Sequence, residues 1–169
     1  MKLLRAAERV AVPWKNGGGV TREVAAWPQS AGFEDFDWRV SIAEVAEAGP
    51  FSRFENIDRT LAILSGCMVL DFAERSVTLD AASAPFAFAG DAACHGTPIG
   101  GPVTDLNVMT RRGRCTSRVE RATQATLADA LVVAIATTRL GDQTLERFDA
   151  ALVDDAVALN GEAFIIVLI

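Results

Sequence analysis

Residues 36–43 read FDWRVSIA, and their alternation sets the fold class. Phe36, Trp38, Val40 and Ile42 fall on one side of an extended chain, and Asp37, Arg39, Ser41 and Ala43 on the other. A period of two is the signature of a half-buried strand; a helix would repeat near 3.6. Similar short runs recur at 20–27, 60–64, 67–72, 76–79, 85–88, 104–110, 115–120, 131–138, 151–158 and 163–169. Turn signals separate them: NGGG, AGP, SG, AGD, GGP, RRG, GD and NG. Many short strands with regular turns predict an all-β sandwich or barrel. Helical expectations are confined to one turn within GPFSRFENIDR (49–59) and one within TQATLADA (123–130). The closing FIIVLI (164–169) does not alternate, which suits a strand buried on both faces or an edge covered by a partner chain. The first is the expectation.

Composition narrows the function classes. Half of the 169 residues are hydrophobic and 22% are charged, enough apolar surface to build a core. The net charge of −6 disfavours nucleic acid as a partner, which calls for a basic surface. The longest apolar runs, ALVVAIA and FIIVLI, fall far short of the roughly 20 residues of a membrane helix, so no membrane partner is expected. MKLLRAAERVAV carries charges where a signal peptide needs its apolar stretch, and the expected location is cytoplasmic. Cys67, Cys94 and Cys115 are odd in number and lack a CxxC spacing, so they read as core residues. His95 is the single histidine. Fourteen arginines against two lysines fit either anion binding or a GC-rich coding sequence.

Three readings compete for PWKNGGGVTREV (13–24). A phosphate loop fails: Lys15 precedes the glycines, and a strand follows where the phosphate-holding helix belongs. A hairpin turn and a glycine-lined pocket wall both remain. On the next strand Arg22 shares a face with Val20 and Val24, either snorkelling at an edge or set against an anion. In TDLNVMT (104–110), Asp105 and Asn107 share a face. Either they line a cavity as acceptor and amide, or they are the solvated side of the sheet. The arginines at 111–121 read as a solvated face. Cys94 and His95 are adjacent, and neighbours on a strand point apart, so they do not form a nucleophilic pair.

PWKNGGGVTREV, DWRVSIAEV, GPFSRFENIDRTLAIL, FAGD and DLNVMTRR occur in this order over roughly residues 9–113 and resemble the HutD/Ves family. The resemblance implies a cupin-like (RmlC-like jelly-roll) β architecture: one compact unit over 1–169, described for the family as a bicupin of two small packed barrels. It implies a protein of bacterial histidine utilisation that binds a small carboxylate metabolite, such as N-formylglutamate or urocanate, and moderates flux or expression. The Ves branch is linked to stress responses. Matched motif by motif, the implied ligand residues are Trp14, Lys15, Asn16, Gly17, Gly18, Gly19, Thr21, Arg22, Trp38, Arg39, Arg59, Asp105 and Asn107. Trp38 and Arg39 point to opposite faces, so one of them is expected at the ligand. Metal cupins present two or three histidines with a glutamate; with His95 alone, a site free of metal and cofactor is expected. The alternative is a metal-free cupin enzyme, an isomerase or hydrolase, with Asp105 and either Lys15 or His95 as its acid–base pair. A homodimer is the expected assembly.

Overall fold

The computed structural model describes residues 1–32 and 34–169. Its strands are β1 (Lys2–Leu4), β2 (Ala11–Pro13), β3 (Gly19–Trp27), β4 (Trp38–Val45), β5 (Gly49–Pro50), β6 (Ile57–Ser65), β7 (Cys67–Asp71), β8 (Ser76–Asp80) and β9 (Phe86–Ala89). There follow β10 (His95–Pro98), β11 (Val103–Arg111), β12 (Ser117–Leu127), β13 (Ala130–Ala134), β14 (Thr138–Leu140), β15 (Gln143–Leu145), β16 (Ala150–Val153) and β17 (Val157–Leu168). The helix among the described residues is one short 3-10 turn, Ala6–Glu8. None is long and apolar enough to cross a membrane.

Two compact units divide the chain: Val10–Cys115, and Met1–Arg9 together with Thr116–Ile169. The middle unit holds a six-stranded sheet, β2-β3-β4-β11-β6-β9, and a four-stranded sheet, β5-β10-β7-β8. All the pairings are antiparallel. Val45, Leu61, Ile63, Phe88 and Val103 of the larger sheet share one core with Met68, Leu70 and Leu79 of the smaller. The alternating pattern of β6 and β7 supplies this core, because residues at every second position face the opposite sheet.

The middle of the larger sheet departs from a one-sided strand. On β4, Val40 and Ile42 are buried, but so are Ser41 and Ala43 on the other face. On β11, Leu106 and Val108 are buried, and so are Asp105 and Asn107. The polar faces of these two strands therefore turn inward, which settles the open choice for Asp105 and Asn107.

The unit built from the two ends of the chain is a seven-stranded sheet, β1-β16-β13-β17-β14-β15, with β12 also paired to β17. Val132, Leu140, Leu145, Leu159 and Ile165 lie in its core. Arg5 Nη1 and the Ala6 amide each donate to the Asp149 carboxylate at 2.7 Å, fixing the first residues beside β16. FIIVLI lies largely on β17, between β12 and β13, so it is an interior strand rather than an exposed edge. Neither expected helical turn forms. Residues 49–59 give β5, an irregular stretch and the start of β6; residues 123–127 continue β12. Thr123 and Thr126 are β-branched, and ten residues of ladder with β17 outweigh the local helical pattern.

Candidate functional site

The inward polar faces of β4 and β11 open on a cleft of about 700 Å³ within the middle unit. Antiparallel register assembles it. Asp105 pairs with Ala43 on one side and Ile63 on the other, Asn107 with Ser41 and Leu61, and Met109 with Arg39 and Arg59. Same-face residues two apart on each strand thus form one wall. The hairpin Val12–Asn16 and the segment Pro50–Phe54 close the sides.

Arg59 is the centre of the wall. It is 7% exposed. Its Nε donates to Asn107 Oδ1 at 3.3 Å and its Nη1 to the Ser52 carbonyl at 3.3 Å. Its guanidinium carbon lies 5.2 Å from the ring centroids of Phe51 and Phe88 and 5.7 Å from that of Phe54. The rings hold the planar cation by their negative faces. Burial lowers its pKa to about 10, opposed by the nearby Asp105 charge, so it stays cationic at neutral pH. Among the described residues no carboxylate forms an ion pair with it. The guanidinium is therefore a buried cation stacked on aromatic rings and bonded to neutral oxygens.

Asp105, 2% exposed, is the acid of the same wall. Burial raises its carboxyl to about 7, against the lowering effect of Arg59. Because Asn107 Oδ1 accepts from Arg59, the NH2 of that amide is left as a donor. Arg39 lies on the same wall across Met109 from Arg59, its Nε 2.9 Å from Glu23 Oε2. Lys15 stands exposed at the rim.

The glycine stretch resolves into separate duties. The Trp14 amide donates to the Gly19 carbonyl at 2.9 Å and the Gly17 amide to the Trp14 carbonyl at 3.0 Å, closing a tight turn. Gly17 has φ +75°, which favours glycine. The Gly18 amide donates to Asn16 Oδ1 at 3.0 Å. A Cβ on Gly19 would lie 2.7 Å from the Glu44 carbonyl and 3.0 Å from the Trp14 ring. This close approach lets Trp14 form the cleft wall, with its Nε1 donating to Thr21 Oγ1 at 2.7 Å.

Of the residues expected at a ligand, the cleft brings together Trp14, Lys15, Asn16, Thr21, Arg39, Arg59, Asp105 and Asn107. Gly17, Gly18 and Gly19 shape the turn and do not line it, and of the pair Trp38 and Arg39 it is Arg39 that does. Arg22 lies on the opposite face of β3 from Thr21 and bonds the exposed Glu44 at 2.6 Å. This corrects the picture of Arg22 set among apolar side chains as an anion clamp. Replacing Arg22 by alanine should leave affinity for any carboxylate within twofold. An exposed ion pair is worth about 0–1 kcal/mol, so the unfolding free energy should fall by no more than that. Calorimetry and denaturant unfolding of Arg22→Ala check both.

Phe51, Ser52, Phe54, Ser41 and Met109 also line the cleft. Ser41 was accessible from its parity with Arg39. The aromatic pair in PFSRF was not, because its spacing reads as a helical turn. His95 is exposed on β10 and is not part of the cleft, so it does not meet Asp105. Cys94 beside it is buried. Among the described residues no group of three or more His, Cys, Asp or Glu side chains is placed to hold a metal. The cleft itself offers one acid and no imidazole, a donor set that does not fit the metal of metal-binding cupins. A second depression, about 480 Å³, is formed by Arg53, Glu55, Asn56 and Asp91. There the Asp91 carboxylate is already taken by Arg112 at 2.7 Å.

Facing antiparallel sheets around a cleft of mixed polar and apolar lining define a cupin-like protein. The fold is similar to that of a Cupin 2 conserved barrel domain protein from Leptotrichia buccalis, with a TM-score of 0.58 at 9% identity over 94% of this chain and 91% of that one. The family model HutD matches residues 6–164, and the chain belongs to the HutD family. HutD from Pseudomonas fluorescens SBW25 superposes with a TM-score of 0.91 at 31% identity, covering 99% of this chain and 97% of that one. Protein Ves from Citrobacter koseri is 40% identical over 111 residues, 64% of this chain and 57% of its own length. An uncharacterized 21.2 kDa protein in the hutC 3′ region of Pseudomonas putida is 34% identical over 122 residues, 71% of this chain and 63% of its own length. The chain thus spans 57% to 63% of these two curated relatives over the matched region.

Proposed function

We propose that the cleft binds a small carboxylate metabolite without a metal and that the protein acts in the cytoplasm as a regulator of histidine utilisation. Buried Arg59, stacked on three phenylalanines with no carboxylate of its own, carries this reading. A carboxylate docking there gains charge-assisted hydrogen bonds in a place water barely reaches. Lys15 adds positive charge at the rim, while Trp14, Phe51 and Met109 offer an apolar wall for the rest of the molecule. The link to histidine utilisation rests on the HutD family and on the hutC 3′ position of the Pseudomonas putida relative.

N-formylglutamate and urocanate are the ligands this reading favours. Each carries a carboxylate and a planar polar group. Calorimetry with N-formylglutamate, urocanate and formiminoglutamate tests it, and heat with one-to-one stoichiometry is expected from at least one. Silence from all three at millimolar concentration overturns the reading.

One observation favours a second reading. A carboxyl raised to about 7 in a cleft has the protonation range of a general acid–base. A metal-free isomerase or hydrolase would convert its ligand. An NMR time course in which the bound compound stays unchanged for hours removes this alternative.

A further inference from the structure

The geometry points to Asp105 as a proton-carrying ligand contact: it enters the complex protonated and donates its O–H to the carboxylate held by Arg59, so binding takes up one proton from solvent. This rests on the carboxylate reading above.

The Asp105 side chain lies on the cleft wall, and among the described residues it makes no hydrogen bond or ion pair. Arg59, the cation beside it, is engaged with Asn107 Oδ1, the Ser52 carbonyl and three rings. Asn107 is two residues along β11 on the same face, and about 7 Å separates such neighbours in a strand. A carboxylate that reaches the guanidinium beside Asn107 therefore comes within one small group of Asp105.

Two carboxylates so placed in a buried cleft cannot both stay ionised. A shared proton converts repulsion into a short, charge-assisted hydrogen bond. The balance is simple: ionised Asp105, one proton and a ligand carboxylate give a neutral acid hydrogen-bonded to the bound anion. No bond to carbon changes.

The other charged or titratable groups near Asp105 do not supply the proton. Arg39 on β4 is paired with Glu23 on β3. Lys15 belongs to the β2–β3 hairpin rim and Arg59 to β6. The Cys94 thiol precedes β10, and burial pushes its pKa up, against the lowering effect of Arg59, so it stays protonated near neutrality. The aligned neighbours of Asp105 on β4 and β6 are Ala43 and Ile63, which do not titrate.

The sign follows directly. Burial raises the Asp105 carboxyl to about 7 in the free protein, and a bound anion raises it further. Below that pH the acid already carries its proton and affinity is flat. Above it each binding event needs a proton, and the association constant falls by up to tenfold per pH unit.

The test is calorimetry of formate and of N-formylglutamate from pH 5.5 to 8.5, in buffers of different ionisation enthalpy. A His95→Gln background removes the histidine. At pH 8 close to one proton should be taken up per ligand. Asp105→Asn, whose amide copies the neutral acid, should take up none and bind about tenfold tighter than the parent at pH 8. Should that variant not fold, proton uptake by the unaltered protein decides alone. Binding with no proton uptake and a flat pH profile overturns the role of Asp105 and leaves the carboxylate site standing. Failure of both probes to bind even at pH 5.5, where Asp105 is already neutral, overturns the carboxylate site and this inference with it.

Discussion

Arg59→Met should sharply weaken carboxylate binding and leave the fold intact. The methionine chain follows the same path between Phe51, Phe54 and Phe88, and its sulfur makes favourable contacts with the rings. No large cavity opens, so the cost of a large-to-small change is avoided. The lost charge leaves Asp105 without its nearby cation, but that carboxyl is already held near neutrality by burial. Among the described residues Arg59 has no ion-paired carboxylate to strand, so the cost is confined to the Asn107 Oδ1 and Ser52 carbonyl acceptors, about 1–3 kcal/mol for each left without a donor. Binding is different. Each charge-assisted hydrogen bond is worth about 1.5–3 kcal/mol. Losing one or two lowers affinity by roughly 10-fold to 10,000-fold. Arg59→Lys should recover only part of it, because an ammonium cannot reproduce the fork or the flat contact with the rings. Calorimetry reads the affinity and denaturant unfolding reads the fold. Affinity within threefold of the parent, in a variant that unfolds like it, would remove Arg59 from the site.

Gly19→Ala should destabilise the protein and Gly18→Ala should not. At Gly19 the new methyl meets the Glu44 carbonyl at 2.7 Å and two Trp14 ring carbons at 3.0 Å. The carbonyl belongs to the β4 backbone and cannot swing away, so β3 must shift from β4, and the indole must move as well. Overpacking of this kind costs about 1–3 kcal/mol. Because Trp14 walls the cleft, ligand affinity should fall as well. At Gly18 the nearest atom is Asn16 Oδ1 at 3.4 Å, an ordinary contact with a short polar side chain. Alanine there removes freedom from the unfolded chain, a gain of about 0.4–1 kcal/mol where the backbone allows it. Urea unfolding of the two variants side by side makes the comparison. Equal stabilities would mean that the second and third glycines of NGGG are interchangeable.

The two variants also mark where the sequence is readable. Alternation in FDWRVSIA and TDLNVMT places strands β4 and β11 correctly, and it separates Arg39 and Ser41 from Val40 and Ile42. Alternation says nothing about which face meets solvent. Asp105 on a cavity wall and Asp105 on an outer surface have the same spacing; only the hairpin Val12–Asn16 and the segment Pro50–Phe54, which close over that face and bury it, distinguish them. Arg22 and Arg59 look alike as arginines on strands. One ends on an exposed glutamate and the other under three rings brought from separate parts of the chain. Phe51 and Phe54 were out of reach for a related reason: PFSRF has helical spacing but no hydrogen-bonded element of its own. The family motif, by contrast, already pointed to eight residues that line the cleft.

The pairing of Lys2–Leu4 with Ala150–Leu152 has a consequence for synthesis. Residues Val10–Cys115 have all their sheet partners among themselves and can fold as they leave the ribosome. The first nine residues cannot. β1 must wait as an unpaired strand until β16 has emerged, almost 150 residues later, and Arg5 waits with it for Asp149. Translation speed across the residues between Cys115 and Val153 therefore sets how long an open strand edge is exposed in the cell.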